Sequence, residues 1–422
     1  MQNEAYMAVL FSPYRPAKSL RRAAMYALKV LHKKLIQACP FIHKKRLSVL
    51  IAAVHALLIG QRLSLTQLGR RLISKTLVKH NIKRIDRLLG NAHLYTERIA
   101  LYRFVCHELL KGNLRPLIIV DWSDLTAERD YQMLRASLPV GGRALTLYEE
   151  VHSQKVVGND KIHKQFLRNL KKVLPSCCCP ILITDAGFRN PWFKVVRVFG
   201  WDYVGRVRNR DMFKAINTDT WKPCKHLYSK ANRKPRYLGE YDVVRSNPIS
   251  TYLYLVKQKP KGRHGRNLDG TRTTRACSEK IADREKEPWL ITTSLAGKQS
   301  KASYIVKLYK TRMQIEEAFR DTKSARVGFS LRESLSRNLQ RLDILLLIGT
   351  LATFITWLIG TWAELKQWHY RYQSSSNKMR RVLSTFFIGC QVAKENQLTL
   401  KRQEYESALS QTRLNALAQS HA

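Results

Sequence analysis

The spacing of apolar residues divides the chain into regions of different character. Over about the first 110 residues they recur every three or four positions, as in Leu47, Leu50, Ile51, Val54, Leu57 and Leu58, the signature of helices that bury one face. The stretch Ser64 to Leu72 predicts a short helix with Ser64 as cap and Gln67 three residues on, the capping-box spacing. Val78 to Leu89 predicts another, which buries Ile82, Ile85, Leu88 and Leu89 and exposes Lys79, His80, Lys83, Arg84 and Arg87 until Gly90 and Asn91 stop it. Two short helices, the second basic, fit a helix-turn-helix-like DNA reader with Lys83, Arg84 and Arg87 toward the nucleic acid. A helical bundle with a solvated basic face fits the same pattern.

From Pro116 the pattern shifts to short β-branched and leucine runs bounded by turn residues, which read as strands. Leu117 to Val120 ends in Asp121; Gln132 to Val140 and Ala144 to Val151 are joined by Gly141-Gly142; Ile181 to Thr184 ends in Asp185; Asp202 to Val207 follows. Between them lie an amphipathic segment, Lys161 to Leu174, and a helix opened by Asn190-Pro191. Three strands as a meander, then helix, strand, helix, strand, predict an α/β fold with a mixed sheet, in the order of ribonuclease H-like nucleotidyltransferase cores. Tyr237 to Val244 and Ser250 to Val256 predict antiparallel strands of an inserted β subdomain, and Lys257 to Arg275 a basic loop with little apolar content. The expected division is an extension over 1–30, a helical DNA-binding domain over 31–113, a catalytic core over 114–208 plus 288–365, the β insertion over 209–287, and a helical C-terminal domain over 366–422.

Ile344 to Trp362 runs 19 residues without a charge, enough to span a bilayer. Its threonines and glycines, and its isolation in so basic a chain, favour a buried core helix, although hydropathy by itself would score a span. Beyond it, Gln373 to Asn377 reads as a linker, and Val382, Leu383, Phe386, Phe387, Tyr405, Leu409 and Leu417 mark amphipathic helices.

Charge sharpens the picture. Of 422 residues, 75 are Lys or Arg and 31 Asp or Glu, a formal net charge of +44, which calls for a polyanionic partner. The eight cysteines show no zinc-ribbon or disulfide spacing, so a reducing cytosol is expected; the Cys177 to Cys179 triplet reads as small loop residues. The N-terminus is basic but lacks the apolar core of a secretory signal.

Candidate chemistry centres on Tyr309 to Lys323. On one helix, at roughly 100° per residue, Tyr309, Arg312, Glu316 and Lys323 fall at about 0°, 300°, 340° and 320°, a single stripe from which Glu317 is excluded. A carboxylate flanked by two cations and a phenol suits phosphate handling. With Asp121 and Asp185 at strand ends it supplies hard oxygen ligands for two Mg²⁺ ions, with Mn²⁺ as a substitute, in an in-line phosphoryl displacement. Asp124 reads as a cap or surface hydrogen-bonding residue, and Glu149 and Glu150 as a charged strand end.

Taken together, Asp121, Asp185 and the Tyr-x2-Arg-x3-Glu-x6-Lys helix resemble the DDE transposases of bacterial insertion sequences. The resemblance runs from about Leu31 to the C-terminal helices through KHNIKRIDRLLGN (Lys79 to Asn91), VDWSD (Val120 to Asp124), DAGF (Asp185 to Phe188), EPW (Glu287 to Trp289) and RMQIEEAFRDTKS (Arg312 to Ser324). It implies metal binding by Asp121, Asp185 and Glu316, phosphate contacts from Tyr309, Arg312 and Lys323, and stacking of Trp289 on a base flipped from a DNA hairpin. It further implies double-stranded DNA partners (transposon ends and target), a homodimer in a synaptic complex, a host DNA-bending protein as a candidate helper, no membrane, and a cytoplasmic, nucleoid-associated location. Trp289 as ordinary packing and Tyr309 as a core tyrosine are the competing readings. For the whole chain the competitors are a catalytically inactive DNA-binding derivative, a tyrosine recombinase, an unpaired ribonuclease H-like nuclease and a membrane protein.

Overall fold

The computed structural model describes residues 22–126, 130–208, 211–259, 271, 287–377, 379–395 and 400–421. Residues 1–21 of the expected extension, and nearly all of the basic loop, lie outside them. The chain opens with five helices, α1 (Arg22–Ala38), α2 (Lys44–Gly60), α3 (Leu65–Arg71), α4 (Val78–Leu89) and α5 (Ala92–Leu110). Ser64 has the extended backbone of a cap, yet its side chain makes no cap bond. The seven-residue α3 is held instead by packing on α4, so tightly that a Cβ on Gly69 would come within 2.6 Å of Ile82 Cα. On α4, Ile85, Leu88 and Leu89 are buried, Ile82 is half-buried, and Lys79, His80, Lys83, Arg84 and Arg87 are exposed.

The chain then forms β1 (Leu117–Asp124), β2 (Tyr131–Pro139), β3 (Ala144–Ser153), α6 (Asp160–Val173), β4 (Ile181–Thr184), α7 (Asn190–Val198) and β5 (Asp202–Val207). After these come β6 (Met212–Ala215), β7 (Lys222–Pro223), β8 (Arg236–Val243), β9 (Ile249–Val256) and β10 (Trp289–Thr293). All pair in one ten-stranded sheet of order β3-β2-β1-β4-β5-β10-β9-β8-β6-β7. The pairs β1–β4 and β4–β5 are parallel, and the others are antiparallel. The strands of 209–287 thus extend the main sheet, joined to it through β10. From β3 to β4 and from β4 to β5 the chain crosses in the same direction, so right-handed connections place α6 and α7 on one face.

Five further helices follow: α8 (Ala302–Lys310), α9 (Met313–Lys323), α10 (Leu339–Leu365), α11 (Thr385–Lys394) and α12 (Arg402–His421). Asn91, Asn159 and Asn338 cap α5, α6 and α10, accepting hydrogen bonds from the N–H of Leu94, Lys161 and Arg341. In α10, 94% of the most apolar window is buried within the protein, against α2, α5, α11, α12 and β3. It is the core helix that the sequence favours, apolar all round because neighbours surround it.

Glu149 and Glu150 do not form a charged strand end. Both are buried, because helices distant in sequence cover both faces of β3. Glu149 accepts from Arg135 Nε at 2.7 Å, Thr350 Oγ1 at 2.6 Å and Tyr102 Oη at 3.2 Å. Glu150 pairs with His152 at 3.1 Å and accepts from Asn169 at 2.7 Å and from the Tyr148 hydroxyl. A buried carboxylate is tolerated only with such partners.

Candidate active site

Asp121 and Asp185 are brought together by register. The parallel ladder between β1 and β4 ends with Val120 opposite Thr184, so the two acids are the next residues on adjacent strands, at the carboxyl end of a parallel pair, where α/β sheets open to ligands. The strand carrying Asp121 does not stop there as expected; it continues to Asp124 because β2 pairs with it through Gln132. Backbone groups orient both carboxylates. The Trp122 N–H donates to Asp121 Oδ1 at 2.9 Å and the Gly187 N–H to Asp185 Oδ1 at 2.7 Å. A Cβ on Gly187 would stand 2.9 Å from that oxygen, so any larger residue there would push the carboxylate from this position. Burial, then the charge of Asp185, pushes the Asp121 carboxyl up to about 7.

Glu316 faces them from α9, but the expected single helix over the stripe is two. Between α8 and α9 the chain takes tight i+3 turns, with Arg312 N–H bonded to Tyr309 O at 3.2 Å and Gln314 N–H to Thr311 O at 2.9 Å. Tyr309 therefore lies in the last turn of one helix, and Glu316 and Lys323 belong to the next. Arg312, at the elbow, bridges the acids: Nη1 stands 3.3 Å from Asp121 Oδ2 and Nη2 3.0 Å from Glu316 Oε1. Lys323 Nζ donates to Ser123 Oγ at 2.6 Å and to the Asp124 carbonyl at 3.1 Å, tying α9 to β1. Burial, reinforced by Arg332 and Arg135, brings its ammonium down to about 8. Glu317 points elsewhere, toward Arg143 and Arg320. Asp124 accepts from Gln132, a hydrogen-bonding role as expected.

These groups line an open cleft of about 980 Å³, with Asp121, Asp185, Arg312, Glu316 and Lys323 in it and Arg320, Arg326 and Arg332 completing its basic wall. Trp289 and Tyr309 stand beside one another rather than in the cleft lining, rings edge to face at 5.1 Å. Tyr309 is buried, which raises its phenol pKa. Lys83, Arg84 and Arg87 are on α4 and do not line the cleft. Sequence reasoning missed Arg206 on β5. It pairs across to Ile291, on the sheet face of Trp289; its charge acts on Tyr309, and its Nε is buried with no hydrogen-bond partner among the described residues. No motif marks it in the sequence; its place follows from the register of β5 against β10.

Among the described residues no three His, Cys, Asp or Glu side chains are gathered closely enough to hold a metal ion; the Arg312 guanidinium stands between Asp121 and Glu316. The donor set still suits a divalent cation: two neighbouring carboxylates, one with its pKa raised by burial and then by the other's charge, are relieved by positive charge. A family model for the transposase DDE domain matches residues 112–354. No curated protein matches the chain.

Proposed function

The chain belongs to the transposase DDE-domain family, and we propose that it is a cut-and-paste DNA transposase of the subgroup defined by the Tyr309, Arg312, Glu316 and Lys323 motif. Its motifs resemble those of the transposase of a bacterial tetracycline-resistance composite transposon. Membership implies nucleic-acid phosphoryl transfer on DNA with divalent metal ions. The observation that carries the proposal is that Asp121 and Asp185 each follow the last pair of the parallel ladder between adjacent strands, across a basic cleft from Glu316. Asp121 and Asp185 would hold Mg²⁺ or Mn²⁺, joined by Glu316 once Arg312 exchanges that carboxylate for a DNA phosphate. When bound, the metal supplies charge neutralisation and an activated oxygen nucleophile.

In this reading water first nicks one strand at the element's end, releasing a 3′-OH. That hydroxyl attacks the opposite strand to form a hairpin, water reopens the hairpin, and the same 3′-OH joins target DNA. Each step is one in-line displacement at phosphorus that frees a 3′-OH. In the two water steps the new P–O bond is to the water oxygen and a 5′-phosphate is left; in the two 3′-OH attacks a new phosphodiester replaces the one broken. Arg312 and Lys323 hold phosphate oxygens, and Trp289 stacks on the flipped base beside Tyr309. Stacking of this kind stabilises an extruded base by about 1 to 3 kcal/mol. The helical N-terminal region reads the terminal repeats through Lys83, Arg84 and Arg87, the β insertion supports the hairpin, and two copies pair the ends in a cytoplasmic, nucleoid-associated complex.

The test is cleavage of a short duplex carrying the element's end, with Mg²⁺, by wild type and by Asp121→Ala, Asp185→Ala and Glu316→Ala. Nicks followed by a hairpin band, each reduced roughly 10²- to 10³-fold or more in all three variants, are expected. Binding without cleavage by wild type would leave an inactive DNA-binding derivative. Cleavage surviving Glu316→Ala would remove the third carboxylate from the mechanism.

A further inference from the structure

Beneath the two aspartates, on the face of the sheet away from α9, one side chain touches both segments that carry them. His163, on α6, is 3% exposed. Its Nε2 accepts a hydrogen bond from the Trp122 indole N–H at 3.0 Å. Its ring stacks on Phe188 at 5.0 Å, and Trp192 closes the group at 5.4 Å from His163 and 4.7 Å from Phe188.

Trp122 and Phe188 are the aromatic neighbours of the two acids. The backbone N–H of Trp122 holds Asp121 Oδ1. Phe188 anchors the turn whose Gly187 N–H holds Asp185 Oδ1. Side chains alternate along a strand. Asp121 faces the α9 side with its cross-strand neighbour Arg135, which bonds Thr322 of α9, and Trp122 faces α6. A single imidazole thus fixes the backbone under both carboxylates from behind.

We propose that His163 is a positioning residue for the metal-binding pair, setting the separation of Asp121 and Asp185 through Trp122 and Phe188; this rests on the transposase reading of the cleft. Burial and the neighbouring His152 push the imidazole down to about 4. It is therefore neutral at physiological pH, and its Nε2 lone pair stays available to the indole. Two functions share one ring: the acceptor serves Asp121 and the stacking face serves Asp185.

Substitutions separate them. His163→Phe keeps a ring against Phe188 and leaves the indole N–H buried without an acceptor; His163→Gln keeps an acceptor and loses the stack. Trp122→Phe combined with His163→Phe removes donor and acceptor together, which restores a satisfied interior. The experiment measures single-turnover nicking, gel-shift affinity for the element's end, and melting temperature for these proteins. The expected result is a fall in nicking of about 10- to 100-fold for His163→Phe, the scale of a misplaced catalytic group, with end affinity within about twofold of wild type. The double variant should nick several-fold faster than His163→Phe alone, a rescue that loss of packing does not produce.

Nicking by His163→Phe at the wild-type rate would overturn the proposal. So would a double variant no faster than the single one. Failure of wild type to nick would instead strike the transposase reading itself, and the positioning role with it.

Discussion

Asp121 and Asp185 sit where the chain is closely packed, and Glu316 on a more exposed part of the molecule. The aspartates follow buried strands in register, each carboxylate held by a backbone N–H and backed by aromatic side chains. Glu316 stands one turn beyond an elbow of tight turns, its side chain 43% exposed and paired with Arg312. The difference teaches how such a site can avoid cutting before it is assembled. In the proposed reading the two aspartates are ligands set by the fold, and Glu316, paired with Arg312, joins them when DNA phosphate claims that cation. This is the structural form of binding energy used to assemble catalytic groups.

The largest structural effect should come where the two regions are joined. Arg135, the cross-strand neighbour of Asp121, is 3% exposed, pairs with Glu149 and reaches Thr322 on α9. Arg135→Met leaves Glu149 buried without its cation and should destabilise the protein by roughly 3–5 kcal/mol. Adding Glu149→Gln should recover much of that loss. Denaturant unfolding of the single and double variants checks both. A loss below about 1 kcal/mol would mean that the sheet and the α9 helix are not joined through this pair.

A smaller effect tests the crowding of the fixed pair. A carboxyl whose pKa is raised in the fold keeps a proton that the unfolded chain has released. For Asp121, between the ordinary 3.8 and about 7, metal-free stability therefore falls as pH rises, and the full cost is present above that window. Asp121→Asn should abolish cleavage yet raise the unfolding free energy of the metal-free protein at pH 8 by about 1 to 2 kcal/mol. The gain should shrink as pH falls toward the ordinary carboxyl range. A gain independent of pH would show that burial and the Asp185 charge do not raise the Asp121 carboxyl.

Much of this was legible in the sequence, where local pattern decides structure. The strand over Asp202–Val207 and the acid after Ile181–Thr184 lie where the apolar runs place them, and α10 is buried as its setting in a basic chain suggested. What was not legible depended on partners far along the chain. Asp121 was expected at a strand end, but pairing with β2 carries the strand past it. The stripe over 309–323 has helical spacing throughout, and spacing does not reveal that the turns at Thr311 and Arg312 tighten. Glu149 and Glu150 read as exposed because nothing nearby in sequence announces Arg135, Thr350 or Asn169. Arg206 and His163 carried no motif; their significance comes from strand register and from a crossover helix.

The central claim, two acids fixed and one delivered, is tested most directly by Mn²⁺ binding to the free protein and to its complex with a duplex bearing the element's end, using wild type and Glu316→Gln. The account predicts weak binding by the free protein that Glu316→Gln leaves nearly unchanged, and tighter binding in the DNA complex that the same substitution reduces by tenfold or more, about 1.4 kcal/mol. Equal weakening by Glu316→Gln with and without DNA would contradict it, placing Glu316 in the metal site from the start.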